Sequence, residues 1–332
     1  MAGYYSVSVL NNIRANASEE YQDRIPEATQ QNIATIGNAL QTYTNLYNEF
    51  CAALVNKIGK TILETKLFKN RLARFKTGAL TTQQDVEEIF IEMAKAEGKY
   101  DPTGPNPLGR RNPPDVKAIY HRQNRQDYYA ITIGDIDFVR VFRSAATLDN
   151  FISGLINSVY SGANYDEYLH MKNLLGTYDG YCVYEVPQIT DEASAREFVK
   201  TVRKASNDLT FASTQNNKAG VMTWTPVENQ VLIVNKDVIA EVDVDVLAKA
   251  FNMGKTDIQV EIITVDDFGP MDTTYALLVD KDWFRIWDTL SHMEPQRNAQ
   301  GLFTNYFYHV HQILSASTFK NAVRFKYPAE ED

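Results

Sequence analysis

The triplets Gly59-Lys60-Thr61 and Gly254-Lys255-Thr256 are the stretches of this chain that most resemble phosphate-binding chemistry. A phosphate-cradling loop needs a first glycine five residues before the second, so that successive backbone amides can wrap the anion. Those positions hold Leu54 and Lys249, so no nucleotide site is expected at either triplet. The five histidines, at 121, 170, 292, 309 and 311, are scattered, and no Gly-x-Ser-x-Gly turn offers a nucleophile for one of them to activate. His309 and His311 would share one strand face and could hold a metal between them, but no third ligand is indicated; they read as packing residues. Asp243 and Asp245 alternate with valines like a fragment of a calcium loop, without its glycine or closing glutamate. They read as support for a helix N-terminus. Cys51 and Cys182 stand far apart with no partner at metal-binding spacing, and are expected to be reduced and buried. These residues point to no enzyme class and no cofactor.

Charge is the chemistry that remains. Between residues 66 and 126 there are 12 Lys/Arg against seven Asp/Glu, in a chain whose net charge is −9. The excess includes Arg110, Arg111, Arg122 and Arg125. A basic segment on an otherwise acidic chain is expected to be an extension that meets an acidic surface. A solvated basic hairpin is the plainer alternative. A third is nucleic-acid contact, with Tyr100 and Tyr120 as stacking platforms. The net charge argues against a dedicated duplex-DNA binder, which usually carries a basic face.

The segments around these residues set the architecture. Glu88-Ile-Phe-Ile-Glu-Met, Val116-Lys-Ala-Ile-Tyr-His-Arg and Asp127-Tyr-Tyr-Ala-Ile-Thr-Ile are rich in β-branched and aromatic residues and are expected as strands. Between the first two, residues 101–114 hold five of the 11 prolines, which excludes a helix or central strand and predicts an exposed loop tip. Upstream, Ile33, Ile36, Leu40, Tyr43, Tyr47, Phe50 and Leu54 alternate at three and four and predict one amphipathic helix over 26–58. Downstream, Leu148, Phe151, Ile152, Leu155, Ile156, Val159 and Tyr160, continued by Tyr168, Leu169 and Leu175, predict a long helix over 147–175 with Thr147 as its N-cap and a bend at Gly162. Helices are expected at Asp191–Leu209 and Ala240–Met253, and strands at Gln230–Val234, Ile258–Val265, Tyr275–Val279, Trp283–Trp287 and within Leu302–Lys326. At 332 residues with 44% hydrophobic and 23% charged residues, the chain is of ordinary globular composition. Its 19 tyrosines and 16 phenylalanines suit surfaces that are buried on association. The opening residues Met-Ala-Gly-Tyr-Tyr-Ser-Val have no basic run before an apolar one, and no apolar stretch reaches membrane-span length. The expectation is folding in a cytoplasm without membrane contact.

Several stretches carry a resemblance. They are Ala240-Glu-Val-Asp-Val-Asp-Val-Leu-Ala-Lys-Ala-Phe-Asn-Met, Leu278-Val-Asp-Lys-Asp-Trp-Phe, Asn305-Tyr-Phe-Tyr-His-Val-His-Gln-Ile-Leu and Asn321-Ala-Val-Arg-Phe, with Asp166-Glu-Tyr-Leu-His-Met-Lys and His121-Arg-Gln-Asn-Arg-Gln upstream. Over nearly the whole chain these are similar to the major capsid proteins of small podoviruses of the Bacillus Salas-phage group. The resemblance implies an α+β fold of the Hong Kong 97 type. Its parts would be an N-terminal arm and helix over 1–60 and an extended β-hairpin E-loop over 61–133. A P-domain would follow over 134–184 and 301–332 with the spine helix 147–175, and an A-domain over 185–300. It implies a virion shell protein, assembled in the bacterial host cytoplasm, that associates with itself as pentamers and hexamers into an icosahedral or prolate head. That head would enclose double-stranded DNA without sequence-specific binding, with a scaffolding protein and a portal as partners. The family brings no catalytic residues, no cofactor and no metal. On this reading Arg110, Arg111, Arg122 and Arg125 lie at the subunit interface, on an E-loop that reaches away from its own globule to pair with a neighbour's carboxylates.

Overall fold

The computed structural model describes residues 5–328 apart from 44, 52, 54–67, 81–84, 97–112, 135–144, 242–259 and 272. The described part divides into two compact units. The first comprises 1–73, 124–168 and 288–312, and the second 74–123, 169–287 and 313–332. Helices and sheets both contribute, which is the α+β composition expected.

In the first unit, helices α1 (Tyr5–Ala15), α2 (Glu19–Arg24) and α3 (Ile33–Thr42) are followed by further helical backbone over 45–51. The single helix expected over 26–58 is therefore interrupted. Tyr43 is extended, with φ −116° and ψ 101°, and closes α3. The sequence around it, Thr42-Tyr43-Thr44, is poor in helix propensity, and the Thr42 hydroxyl donates back to the Asn38 carbonyl. Of the apolar period, Ile33, Ile36, Leu40, Tyr47 and Phe50 still enter one core with Val9, Leu10, Tyr21 and Tyr306 across the break, while Tyr43 at the break is exposed. The short helix α2 is held by its ends. Ser18 accepts from the Tyr21 amide, and Ser18 itself donates to Glu49.

Helix α4 (Ala145–Thr177) has 33 residues and so measures about 50 Å. It covers the expected 147–175 but begins two residues earlier, so Thr147 lies inside it and is not its cap, and it continues as helix through Gly162. Residues up to Tyr168 belong to the first unit and those from Leu169 to the second. Near its C-terminus Gly176 lies so close to the Phe268 carbonyl that a Cβ there would overlap the oxygen. Only glycine permits that approach.

Among the described residues, the strands form three sheets. One has the order β1 (Gly78–Ala79), β9 (Phe284–Asn298), β10 (Phe303–Ala316), β4 (Arg125–Gly134). Strand β4 lies inside the expected extension 61–133 yet pairs antiparallel with β10, Tyr129 opposite Tyr308. The expected strand Trp283–Trp287 is the opening of the 15-residue β9. The second sheet, in the second unit, has the order β5 (Cys182–Glu185), β11 (Ala322–Lys326), β8 (Thr274–Asp280), β6 (Gln230–Asn235), β7 (Glu261–Val265). Strand β6 is apolar on both sides and is buried along its length, as a central strand must be. Helix α5 (Glu192–Leu209) covers one face of this sheet, presenting Phe198, Val199, Val202 and Leu209 to Leu232, Val234, Leu278 and Phe325. Asp191 and Ser194 cap α5 reciprocally. Of the helix expected over Ala240–Met253, the described residues contain only the end of α6 (Lys236–Glu241). The third sheet is a two-stranded ribbon, β2 (Val86–Ile91) with β3 (Val116–His121). Cys51 is buried and Cys182 half-buried, and both are free thiols.

Candidate subunit-contact surface

Strands β2 and β3 run antiparallel in the register Val86↔His121, Glu88↔Ile119, Phe90↔Lys117 on one side of the ribbon, and Glu87↔Tyr120, Ile89↔Ala118, Ile91↔Val116 on the other. Because successive side chains alternate between faces, each set of six shares a face. Burial follows the same alternation in both strands. The first face is turned to its own unit. The second is exposed although it is largely apolar: Ile89 is 56% accessible, Ile91 61% and Tyr120 60%, with Val116 and Met93 also open. Large apolar side chains grouped on one exposed face mark a surface that is covered on association.

The inward face is organised around Glu88. One of its carboxylate oxygens accepts from Arg285 Nε at 3.1 Å, Arg285 Nη2 at 2.6 Å and the Ser317 hydroxyl at 3.0 Å. The other lies 3.0 Å from Nε2 of His121, whose Nδ1 is 2.7 Å from the Ser315 hydroxyl. His121 is 2% exposed and its ring lies 5.7 Å from that of Trp287. Burial alone would raise the Glu88 pKa, but hydrogen bonds from His121 and Arg285 and the Arg285 charge outweigh it and hold the group at about 2. Beyond Glu88, Phe90 packs by Phe319, Lys117 donates to the Ala219 carbonyl at 3.1 Å, and the Met222 amide donates to Glu92. The ribbon is thus held by its own chain along one face, where the sequence reading had it reach away from its own globule.

The four arginines separate. Arg110 and Arg111 lie outside the described residues. Arg122 sits just beyond β3, three-quarters exposed, with its Nε 3.2 Å from Asp85. Such an exposed pair contributes roughly 0–1 kcal/mol and exchanges partners readily. Arg125 requires a correction. It opens β4 with 2% exposure, its guanidinium bonded to Asp127, Gln312 and Tyr129 at 2.6–2.8 Å and to the Ala163 carbonyl at 3.3 Å. These partners all lie in its own unit, so it is a structural cation and not a side chain presented to a neighbour. Tyr129 passes the connection on by donating to Asp166 at 2.7 Å, and burial and that carboxylate push its pKa up. Gln312 links the group to Glu167 and Asp288.

Of the other candidates, Tyr120 is exposed, but its hydroxyl donates to Glu87 at 2.9 Å. Tyr100, both Gly-Lys-Thr triplets and Asp243/Asp245 lie outside the described residues. His309 packs its ring beside Tyr128 across β10 and β4. Among the described residues, no group of His, Cys, Asp and Glu could hold a metal ion, and no helix is long and apolar enough to cross a membrane. Glu88, His121 and Arg285 were missed as site residues. The signal was present for Glu88, which alternates in phase with Val86 and Phe90 and therefore sits on the inward face with them.

Comparison with known proteins shows what the chain is similar to. A family model described as Phi29-like phage major capsid protein matches residues 10–326. The chain is 36% identical over 327 residues to the major capsid protein of Bacillus phage B103, covering 96% of this chain and 72% of that protein. It is 29% identical over 351 residues to the major capsid protein of Streptococcus phage Cp-1, covering 98% and 95%. In three dimensions it is similar to a chain of the capsid structure of Staphylococcus phage Andhra, with TM-score 0.64 at 13% identity over 80% of this chain and 86% of that one. A chain from the asymmetric unit of the bacteriophage PhiM1 mature capsid gives TM-score 0.55 at 8% identity, over 81% and 90%. The architecture is the Hong Kong 97-type fold of phage capsid proteins.

Proposed function

The chain belongs to the Phi29-like phage major capsid proteins, and from that premise we propose that it builds its shell through the exposed apolar face of the β2–β3 ribbon. As a major capsid protein it is a structural component of the virion and associates with further copies of itself. The proposal extends this to pentamers and hexamers that close a head around double-stranded DNA, with a scaffolding protein and a portal as assembly partners and with no catalytic step. The ribbon serves as the E-loop, and its outer face lies on an adjacent subunit. The division into N-arm over 1–60, E-loop over 61–133, P-domain over 134–184 and 301–332, and A-domain over 185–300 belongs to the same reading. Arg110, Arg111 and Arg122 would add charged contacts around the apolar patch.

The observation that carries the proposal is the grouping of Ile89, Ile91 and Tyr120 on one ribbon face, where each is more than half exposed. Fully burying a side chain of this size contributes about 1.5–3 kcal/mol. Repetition over many copies turns such a contact into a closed shell. The test is the triple variant Ile89→Ser, Ile91→Ser, Tyr120→Ser in the full chain, assembled with scaffold and viewed by electron microscopy. The subunit should fold and closed shells should disappear; shells at the wild-type yield overturn the proposal. The companion variant Arg110→Ala, Arg111→Ala, Arg122→Ala should fold normally and assemble poorly.

A further inference from the structure

A two-stranded ribbon is marginal by itself. With its outer face open, the direction in which this one presents that face is set by its inner contacts. On the inner face Phe90 packs by Phe319, and several polar contacts converge on one carboxylate near the middle of β2. Glu88 is reached by Arg285 from β9, by Ser317 beyond β10 and by His121 from β3. His121 is in turn tied to Ser315 on β10. A carboxylate accepts only, so each of these partners donates to it, and the Arg285 guanidinium forks onto a single oxygen. Glu88 on β2 thus links His121 of β3, Arg285 of β9 and Ser317 just after β10, while His121 itself contacts Ser315 on β10. Nearer the loop, Lys117 donates to the Ala219 carbonyl and lies 3.8 Å from Glu92, which accepts from the Met222 amide, a sparser set of contacts than those at Glu88.

We infer that Glu88 is a positioning residue for assembly: by tying β2 and His121 of β3 to Arg285 of β9 and to Ser317 just after β10, it aims the apolar outer face at the neighbouring subunit. This rests on the ribbon being the subunit contact proposed above. Removing its charge leaves the Arg285 guanidinium, itself largely buried, without its carboxylate, and frees the ribbon to rotate about its base.

The experiment uses the full chain carrying Glu88→Gln, with hydrogen-exchange protection read over 86–91 and 116–121 and shell yield read by electron microscopy. At least a tenfold loss of protection confined to the ribbon, with at least a tenfold loss of closed shells, is expected. Wild-type protection and yield overturn the inference, and so does a loss of shells with protection unchanged, because the residue would then act otherwise than by positioning. Should Glu88→Gln fail to fold, Ser317→Ala removes one donor only. It should lower both readouts severalfold, and no change in either overturns the inference. The Ile89→Ser, Ile91→Ser, Tyr120→Ser variant separates the two proposals, since it should keep ribbon protection while losing shells. Normal shells from that variant overturn the contact surface itself; lost shells there with normal shells from Glu88→Gln overturn the role of Glu88 alone.

Discussion

Arg122 and Arg125 stand three residues apart, carry the same charge and have opposite fates. Arg122 keeps an exposed partner in Asp85, while Arg125 is enclosed by Asp127, Gln312 and Tyr129. Removing one member of a buried, paired set leaves the others desolvated and costs about 3–5 kcal/mol, whereas an exposed pair is worth at most about 1 kcal/mol. Arg125→Ala should therefore lower the stability of the first unit by several kcal/mol in denaturant titration, and Arg122→Ala should leave it within about 1 kcal/mol of wild type. Glu88 supplies a prediction in pH. Its ordinary value of 4.5 falls to about 2 in the folded chain. A depressed carboxylate contributes stability that is fully present above its unfolded value and is lost as pH falls through the folded one. Ribbon protection should thus hold above about pH 4.5 and decline between about 4.5 and 2, by on the order of 3 kcal/mol. Glu88→Gln should abolish that dependence, and a wild-type profile equally flat across the window would refute it.

At the level of elements, sequence and structure agree where an amphipathic period is long or a strand is apolar on both sides. Helices α4 and α5 and strand β6 are of this kind. Agreement fails where one core is fed from both sides of a break. The spacing from Ile33 to Phe50 continues through Tyr43 because the two helical stretches face the same core, so periodicity alone reads them as one. Helix α2 escapes notice for the opposite reason, since Glu-Glu-Tyr-Gln-Asp-Arg buries only Tyr21 and shows no stripe. The ribbon was legible as two strands, but the identity of its inner partners was not. Arg285, Ser315 and Ser317 lie about 200 residues away and are brought in by sheet pairing, which no local pattern encodes. Strand β4 was likewise read correctly as a strand, while its partner β10 is 170 residues distant. The C-terminal turn of α4 gives a test at this scale. Gly176→Ala places a methyl group against the Phe268 carbonyl and Pro270, and backbone cannot yield as a flexible side chain can. The clash should exceed the gain in helix propensity and lower stability by about 1–3 kcal/mol, measured by thermal unfolding.

For the whole molecule, net charge bears on contact with nucleic acid. A net charge of −9 repels duplex DNA and offers it few cations to displace its counterions, which disfavours tight adhesion. Purified subunits should therefore not retain duplex DNA at physiological ionic strength in an electrophoretic assay; retention that falls steeply with salt would overturn this and revive a nucleic-acid role for residues 66–126. The position of β11 has a consequence for synthesis. It lies between β5 and β8, parallel to one and antiparallel to the other, although residues 322–326 follow every other strand of that sheet in the chain. A ribosome must deliver those five residues before β5 can join the rest. A copy whose translation halts earlier lacks the strand that joins β5 to β8, and backbone on both is left unpaired. Completion of this sheet thus waits on the strand that is made last, and a subunit truncated before residue 322 would have no finished fold to offer a neighbour.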